Sequence, residues 1–380
     1  MSMVTDQPDH NNLEPTPEKR EELLSALSKE GYHHMKENRI SEAIQCFRTI
    51  LDQDPMNNYA LVGIGDAYRK RRRYQESIQY YQRCLQEHPK NNYALFGLAD
   101  CYRNIKQFHR AIEVWEQYLD LDDRNVTVLT RVADAYRKVK NLKRSVEIYE
   151  QVLEVEPDNP YAITGLGYLY YDFKRYDKAL EYWMHMYELH GDRVDIRVLT
   201  SLGNCHRKMK TFERGVYFFK EALRREPDNF YALFGLADCF RGLDQQDQSL
   251  VNWSEILKQD PHNKVILTRA GDAYRKLGNL DTAEDFYRRA LNVEFDTFAV
   301  LGLALIHKSR GHMKEAADSL EQLLRDDPTG QRFYPEILEC YIQLGDRPAA
   351  KSVIERYEQN CSNRSGYSDT IHRLRRTAGL

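Results

Sequence analysis

One block of sequence returns along this chain at a near-constant interval, and that interval constrains folding more than any other feature. NNYALVGIGDAYRK begins at Asn57, NNYALFGLADCYRN at Asn91 and NFYALFGLADCFRG at Asn229. VLTRVADAYRK begins at Val128 and ILTRAGDAYRK at Ile266. Prolines recur at Pro55, Pro89, Pro157, Pro227, Pro261 and Pro328; the first two are 34 residues apart, as are Pro227 and Pro261. A unit of this length cannot bury its own apolar face, so neighbouring units must stack into an array.

Within each unit, small and aromatic residues hold fixed places. With the unit beginning just after the recurrent Asn, position 8 holds Gly31, Gly65, Ala99, Ala133, Gly167, Gly203, Ala237, Gly271 and Ala304. Position 20 is small throughout, from Ala43 and Ser77 to Ala316 and Ala350. Position 24 is aromatic at Phe47, Tyr81, Trp115, Tyr149, Trp183, Phe219, Trp253 and Tyr287. Small side chains let two helices approach closely, and the aromatic fills the space between units. Proline at position 32 ends the second helix, because it lacks an N–H and disfavours helix before it. Asn or Asp at the next helix start supplies an N-cap.

These residues together resemble the tetratricopeptide repeat family over about residues 24–361, as ten units. The resemblance implies an all-α fold: a right-handed superhelical solenoid of about ten helix-turn-helix units, with first (A) helices lining its concave side. The pattern predicts a disordered tail over 1–21, the array over 22–361 and a C-terminal capping helix within 362–380. There are departures. Asp123 and Phe295 stand where proline is expected, and two extra residues fall within His190–Ile196. One residue is missing between units eight and nine, and Leu338 and Ile354 make weak matches in unit ten. The three tryptophans occupy units three, five and seven, so two unit types alternate.

The resemblance places positions 2, 5, 9 and 12 of each A helix on one face, turned into the groove. Position 2 is aromatic at Tyr59, Tyr93, Tyr161 and Tyr231, with Phe298 further on. Position 9 is acidic at Asp66, Asp100, Asp134, Asp238 and Asp272, with Asn204 in unit six. Position 12 is basic at Arg69, Arg103, Arg137, Arg207, Arg241 and Arg275. Position 6 alternates between glycine (Gly63, Gly97, Gly165, Gly235) and the larger Arg131 and Arg269. Unit five breaks the rows with Tyr168 and Tyr171, where no acid–base pair is expected. Exposed Asp–Arg pairs contribute only about 0.2–0.5 kcal/mol each and could be purely structural. The same rows of donors, acceptors and tyrosine platforms could instead grip a peptide backbone, since Tyr and Arg favour binding hot spots. The chaperone-tail clamp known in some members needs Lys at position 5; here Val62, Phe96, Thr130 and Thr164 stand there, so that clamp is absent.

Other signals do not build a site. Gly63-x-Gly65 and Gly165-x-Gly167 lie inside helices and complete no nucleotide loop. His33–His34 has no metal motif and no partner cysteine, and Lys70–Arg73 and HRLRR are short basic patches. No motif assembles catalytic residues, so the expectation is no enzyme, no cofactor and no metal. The seven cysteines are odd in number and make no C-x-x-C, which reads as buried thiols in the cytoplasm. No apolar run is long enough to span a bilayer, so no membrane contact is expected. The expected partner is a protein or peptide ligand in the concave groove. Two alternatives are kept: a homo-oligomer built through the terminal repeats, and single-stranded RNA. The net charge of −3 and the acidic row weigh against RNA.

Overall fold

The computed structural model describes residues 17–361 and 366–379. It divides into two compact units, one ending at Met186 and the other beginning at Tyr187. The first holds α1 (Pro17–Lys36), α2 (Ile40–Gln53), α3 (Asn58–Lys70), α4 (Tyr74–Glu87), α5 (Asn92–Asn104), α6 (Phe108–Leu119), α7 (Val126–Lys138), α8 (Leu142–Val155) and α9 (Pro160–Asp172). Helix α10 (Tyr176–His190) contains the division, and a single 3-10 turn at Gly191–Arg193 follows it. The second unit continues with α11 (Ile196–Lys208), α12 (Phe212–Arg225), α13 (Phe230–Gly242), α14 (Gln246–Gln259), α15 (Lys264–Lys276) and α16 (Leu280–Val293). It ends with α17 (Thr297–Ser309), α18 (Met313–Asp326), α19 (Phe333–Leu344), α20 (Arg347–Cys361) and α21 (Ser368–Thr377). All these elements are helical, as the repeat requires. Odd-numbered helices up to α19 are the A helices of ten pairs, even-numbered ones the B helices, and α21 is additional.

Local chemistry sets the boundaries. Helices α2, α4, α8, α12, α14 and α18 each stop two residues before the recurrent proline. The next A helix is capped by the side chain of Asn57, Asn91, Asn125, Asn159, Asn229 or Asn263, each accepting a backbone N–H in the first turn. Asp195 and Asp296 do the same for α11 and α17. The two extra residues after α10 are absorbed in the 3-10 turn.

Packing follows the small–aromatic pattern, and Tyr81 shows how. A Cβ built on Gly65, at position 8 of its own unit, would lie 2.6 Å from the Tyr81 ring. One built on Gly97, at position 6 of the next unit, would lie 2.2 Å from it. Phe219 is gripped in the same way by Gly203 and Gly235. The position-6 glycines therefore serve close packing against a ring, as glycines inside a helix are expected to do. The polar side of the A–B contact is also fixed: Ser77, Ser145 and Ser249 at position 20 donate to the carbonyls of Gly65, Ala133 and Ala237 at position 8.

The termini depart from expectation in one respect. The tail expected over 1–21 is helical from Pro17, and residues 1–16 lie outside the described residues. Proline suits the first helical turn, and Leu24 and Leu27 pack against the cluster around Phe47. At the other end, Ile371 of α21 is buried with Leu338, Ile354 and Tyr357, and Leu374 packs beside it. Residues 362–365 and 380 of the expected capping segment lie outside the described residues.

Candidate functional site: the face of the A helices

The tyrosines at position 2 stand in the first turns of α3, α5, α9 and α13. Tyr59, Tyr93, Tyr161 and Tyr231 are 64%, 79%, 75% and 71% exposed, unusual for so apolar a ring. Position 9 lies seven residues on, two helical turns or about 10 Å along the axis on the same face.

The position-9 acids divide by the aromatic at position 24. In two of the three units where that residue is tyrosine, the acid accepts its hydroxyl: Tyr81 donates to Asp66 at 2.8 Å and Tyr287 to Asp272 at 2.7 Å. Burial and the neighbouring carboxylate both push the Tyr81 phenol up, keeping it a donor. Asp66 also takes Arg69 at 2.8 Å, and Arg275 lies 3.7 Å from Asp272. Asp134 pairs with Arg137 at 2.8 Å.

Where position 24 is Trp115 or Trp253, the acid is buried and gathers guanidinium groups instead. Asp100 accepts from Arg69 at 3.0 Å, from Arg103 at 2.8 Å and from Arg131. Asp238 accepts from Arg207 at 2.8 Å, from Arg241 at 3.1 Å and from Arg269. Arg103 and Arg241 pair within their own helix, while the other four bonds cross between units. Arg69 and Arg207 at position 12 reach forward to position 9 of the next unit, and Arg131 and Arg269 at position 6 reach back to position 9 of the preceding one. Lys308 repeats the forward step onto Glu339 at 2.5 Å. The backward arginines are braced from beneath. Arg131 lies 4.8 Å over the Phe96 ring and Arg269 4.7 Å over Phe234. The indole N–H groups of Trp115 and Trp253 are buried with no acceptor.

Unit five holds the remaining two residues. Tyr168 sits edge-on to Trp183 at 5.3 Å with Arg137 above it, and Tyr171 meets Tyr176 and Trp183. Charge pairing nevertheless reaches this unit, against expectation: Arg137 bridges to Asp172 at 2.6 Å. Asp172 sits one place beyond the acid–base positions, so its neighbour Tyr171 hid it. Asn204 accepts from Arg207 in the place where Asp66 takes Arg69. Phe96 and Phe234 went unnoticed as braces. Their sequence signal is the return of Phe-x-x-x-Asp with an arginine 35 residues after the phenylalanine.

Folding also brings Cys46 to His34, which sequence alone did not pair. Their ligand atoms and one from Glu30 lie within 4.8 Å of one another. That trio lacks the fourth donor of a closed structural zinc site, and Glu30 is exposed. The buried thiols are held protonated: burial pushes Cys84 and Cys101 up to about 11, and Cys205 and Cys239 up to about 12. No helix among the described residues is long and apolar enough to cross a membrane.

A stacked array of helix pairs with a polar ladder on one helix face defines a helical-repeat protein. Tetratricopeptide repeat models match residues 28–92 and 130–187, residues 68–127, and residues 266–297. The chain belongs to the tetratricopeptide repeat family. Similar solved structures include a tetratricopeptide repeat protein from Parabacteroides merdae, 13% identical with a TM-score of 0.40, covering 75% of this chain and 99% of that one. YrrB, described as a TPR protein with an unusual peptide-binding site, is 18% identical with a TM-score of 0.43, covering 50% and 97%. MamA is 22% identical with a TM-score of 0.41, covering 45% and 92%. No curated protein matches the chain.

Proposed function

We propose that this protein is a scaffold or adaptor that binds a peptide or partner protein along the face of its A helices, and that it performs no chemistry. Members of its family typically mediate protein–protein contacts. The observation that carries the reading is the set of exposed tyrosines Tyr59, Tyr93, Tyr161 and Tyr231, at the same place in four A helices. Rigid amphipathic rings beside arginines are the composition of binding hot spots. The ladder beneath them holds Asp and Arg side chains in fixed positions, which lowers the ordering cost of gripping a ligand. On this reading the groove residues are those four tyrosines with the acid and base rows, Tyr168 and Tyr171. The buried, protonated thiols of Cys84, Cys101, Cys205 and Cys239 favour the cytoplasm as its compartment.

The test is a pull-down from the native cell with Tyr59, Tyr93, Tyr161 and Tyr231 all changed to alanine. The exposed rings contribute little to the fold, so the variant should keep the helical circular dichroism signal and melting temperature of the parent. Loss of the co-purifying partners is the expected result. An unchanged set of partners would sink the reading.

A further inference from the structure

The charge ladder is not uniform along the chain, and its imbalance identifies the chemistry of the ligand. We propose that the protein carries two unequal recognition sites for the carboxylate side chains of an acidic peptide. One is centred on Asp100 in the first unit and the other on Asp238 in the second, with the second the stronger. The inference rests on the binding reading above and adds the chemical class of the partner.

The two centres correspond residue by residue at a constant offset of 138: Arg69 with Arg207, Phe96 with Phe234, Asp100 with Asp238, Arg103 with Arg241, Trp115 with Trp253 and Arg131 with Arg269. Each buried aspartate faces three arginines. Around Asp100, Asp66 supplies a second carboxylate through Arg69. In the second unit Asn204 stands in its place, so three guanidinium groups face one carboxylate there. The hydroxyl that Asp66 accepts has gone with it, since Phe219 stands where Tyr81 does.

Cations outnumber carboxylates around each buried aspartate: three arginines face Asp100 and Asp66 in the first unit, and three face Asp238 alone in the second. The excess is partly desolvated. Burial lowers Arg131 and Arg269 from the usual arginine range, and the neighbouring arginines push the same way against the single aspartate. An added anion relieves that repulsion. The site is reachable, because the Arg103, Arg131, Arg241 and Arg269 side chains are 35%, 29%, 47% and 29% exposed. Each guanidinium carries five N–H groups, more than the bonds it makes to the aspartate, so its exposed edge has donors for a second carboxylate. The braced, planar guanidinium matches the two oxygens of a carboxylate. Tyr93 and Tyr231, two turns away on the same helices, offer apolar contact for the rest of a peptide. Asp66, Asp134 and Asp172 interrupt the face, so it offers no continuous cationic track for a polyphosphate strand, and a carboxylate-bearing peptide fits the isolated clusters better than RNA.

The experiment titrates the full chain with fluorescein-labelled heptaglutamate by anisotropy at low salt. Heptalysine, a Gly-Ser heptapeptide and heptauridylate run beside it. Heptaglutamate should bind in two steps, and the controls weakly. Arg269→Gln should weaken the tighter step about tenfold and Arg131→Gln the weaker one. Asp66→Asn should tighten the weaker step severalfold, bringing it towards the other; this gain of binding cannot arise from misfolding. Absence of saturable heptaglutamate binding, indifference to both Arg269→Gln and Asp66→Asn, or preference for heptauridylate would each overturn the inference. If partners are still lost in the tyrosine-variant pull-down while heptaglutamate fails, the binding face stands and only the acidic-peptide assignment falls.

Discussion

Two residues that differ together show how this chain handles a buried polar group. Tyr81 donates to Asp66, whereas Phe219 and Asn204 occupy the corresponding places in the second unit. A phenol enclosed by two glycine-lined helices needs an acceptor, and the acid supplies it. Removing the hydroxyl alone leaves Asp66 with one partner fewer. Tyr81→Phe should therefore cost about 1 kcal/mol. Tyr81→Phe with Asp66→Asn recreates the arrangement of the second unit and should recover part of that loss. Urea denaturation of the parent, the two single variants and the double variant closes the cycle; strict additivity would show that the pair is not coupled.

At the scale of the helix, each A–B turn passes through a left-handed residue. Asn38, Arg72, Lys106, Lys140, Lys174, Lys210 and Asp244 have φ between 58° and 63°, and Gly278, Gly311 and Gly345 take the same step later. The turn is imposed by the packing of the two helices, since lysine does not favour this conformation. Lys140→Gly should stabilise by about 0.5–1 kcal/mol, read as a higher melting temperature. A lower melting temperature would mean that the Lys140 side chain makes a stabilising contact. The helix pair was legible because its rules are local: proline stops, asparagine caps and small–aromatic spacing act within one unit. The start of α1 is not legible in the sequence because residues 18–22 are all charged and exposed, with no apolar periodicity to mark a helix.

For the molecule as a whole, stability in a repeat array is close to a sum of units and their interfaces. The end therefore matters out of proportion to its length. Helix α21 buries Ile371 on a cluster that includes Leu338, Ile354, Tyr357 and Cys361. Ending the chain after Cys361 should expose that surface. Hydrogen exchange should then quicken in α19 and α20, and 8-anilinonaphthalene sulfonate fluorescence should rise, while α3–α6 stay protected. Unchanged protection in α19 and α20 would show that α21 seals nothing.

Sequence by itself determined the ten helix pairs, their caps and stops, and the residues that share a helix face. All of these follow from short-range periodicity and from the backbone limits of proline. Tertiary structure decided which charge meets which: Arg69 forward to Asp100, Arg131 back to the same carboxylate, and Arg137 onward to Asp172. It also turned the position-6 glycines into the seat of the next aromatic ring. Those choices depend on the distance between helices and the reach of each side chain across it, and neither is encoded within a single turn.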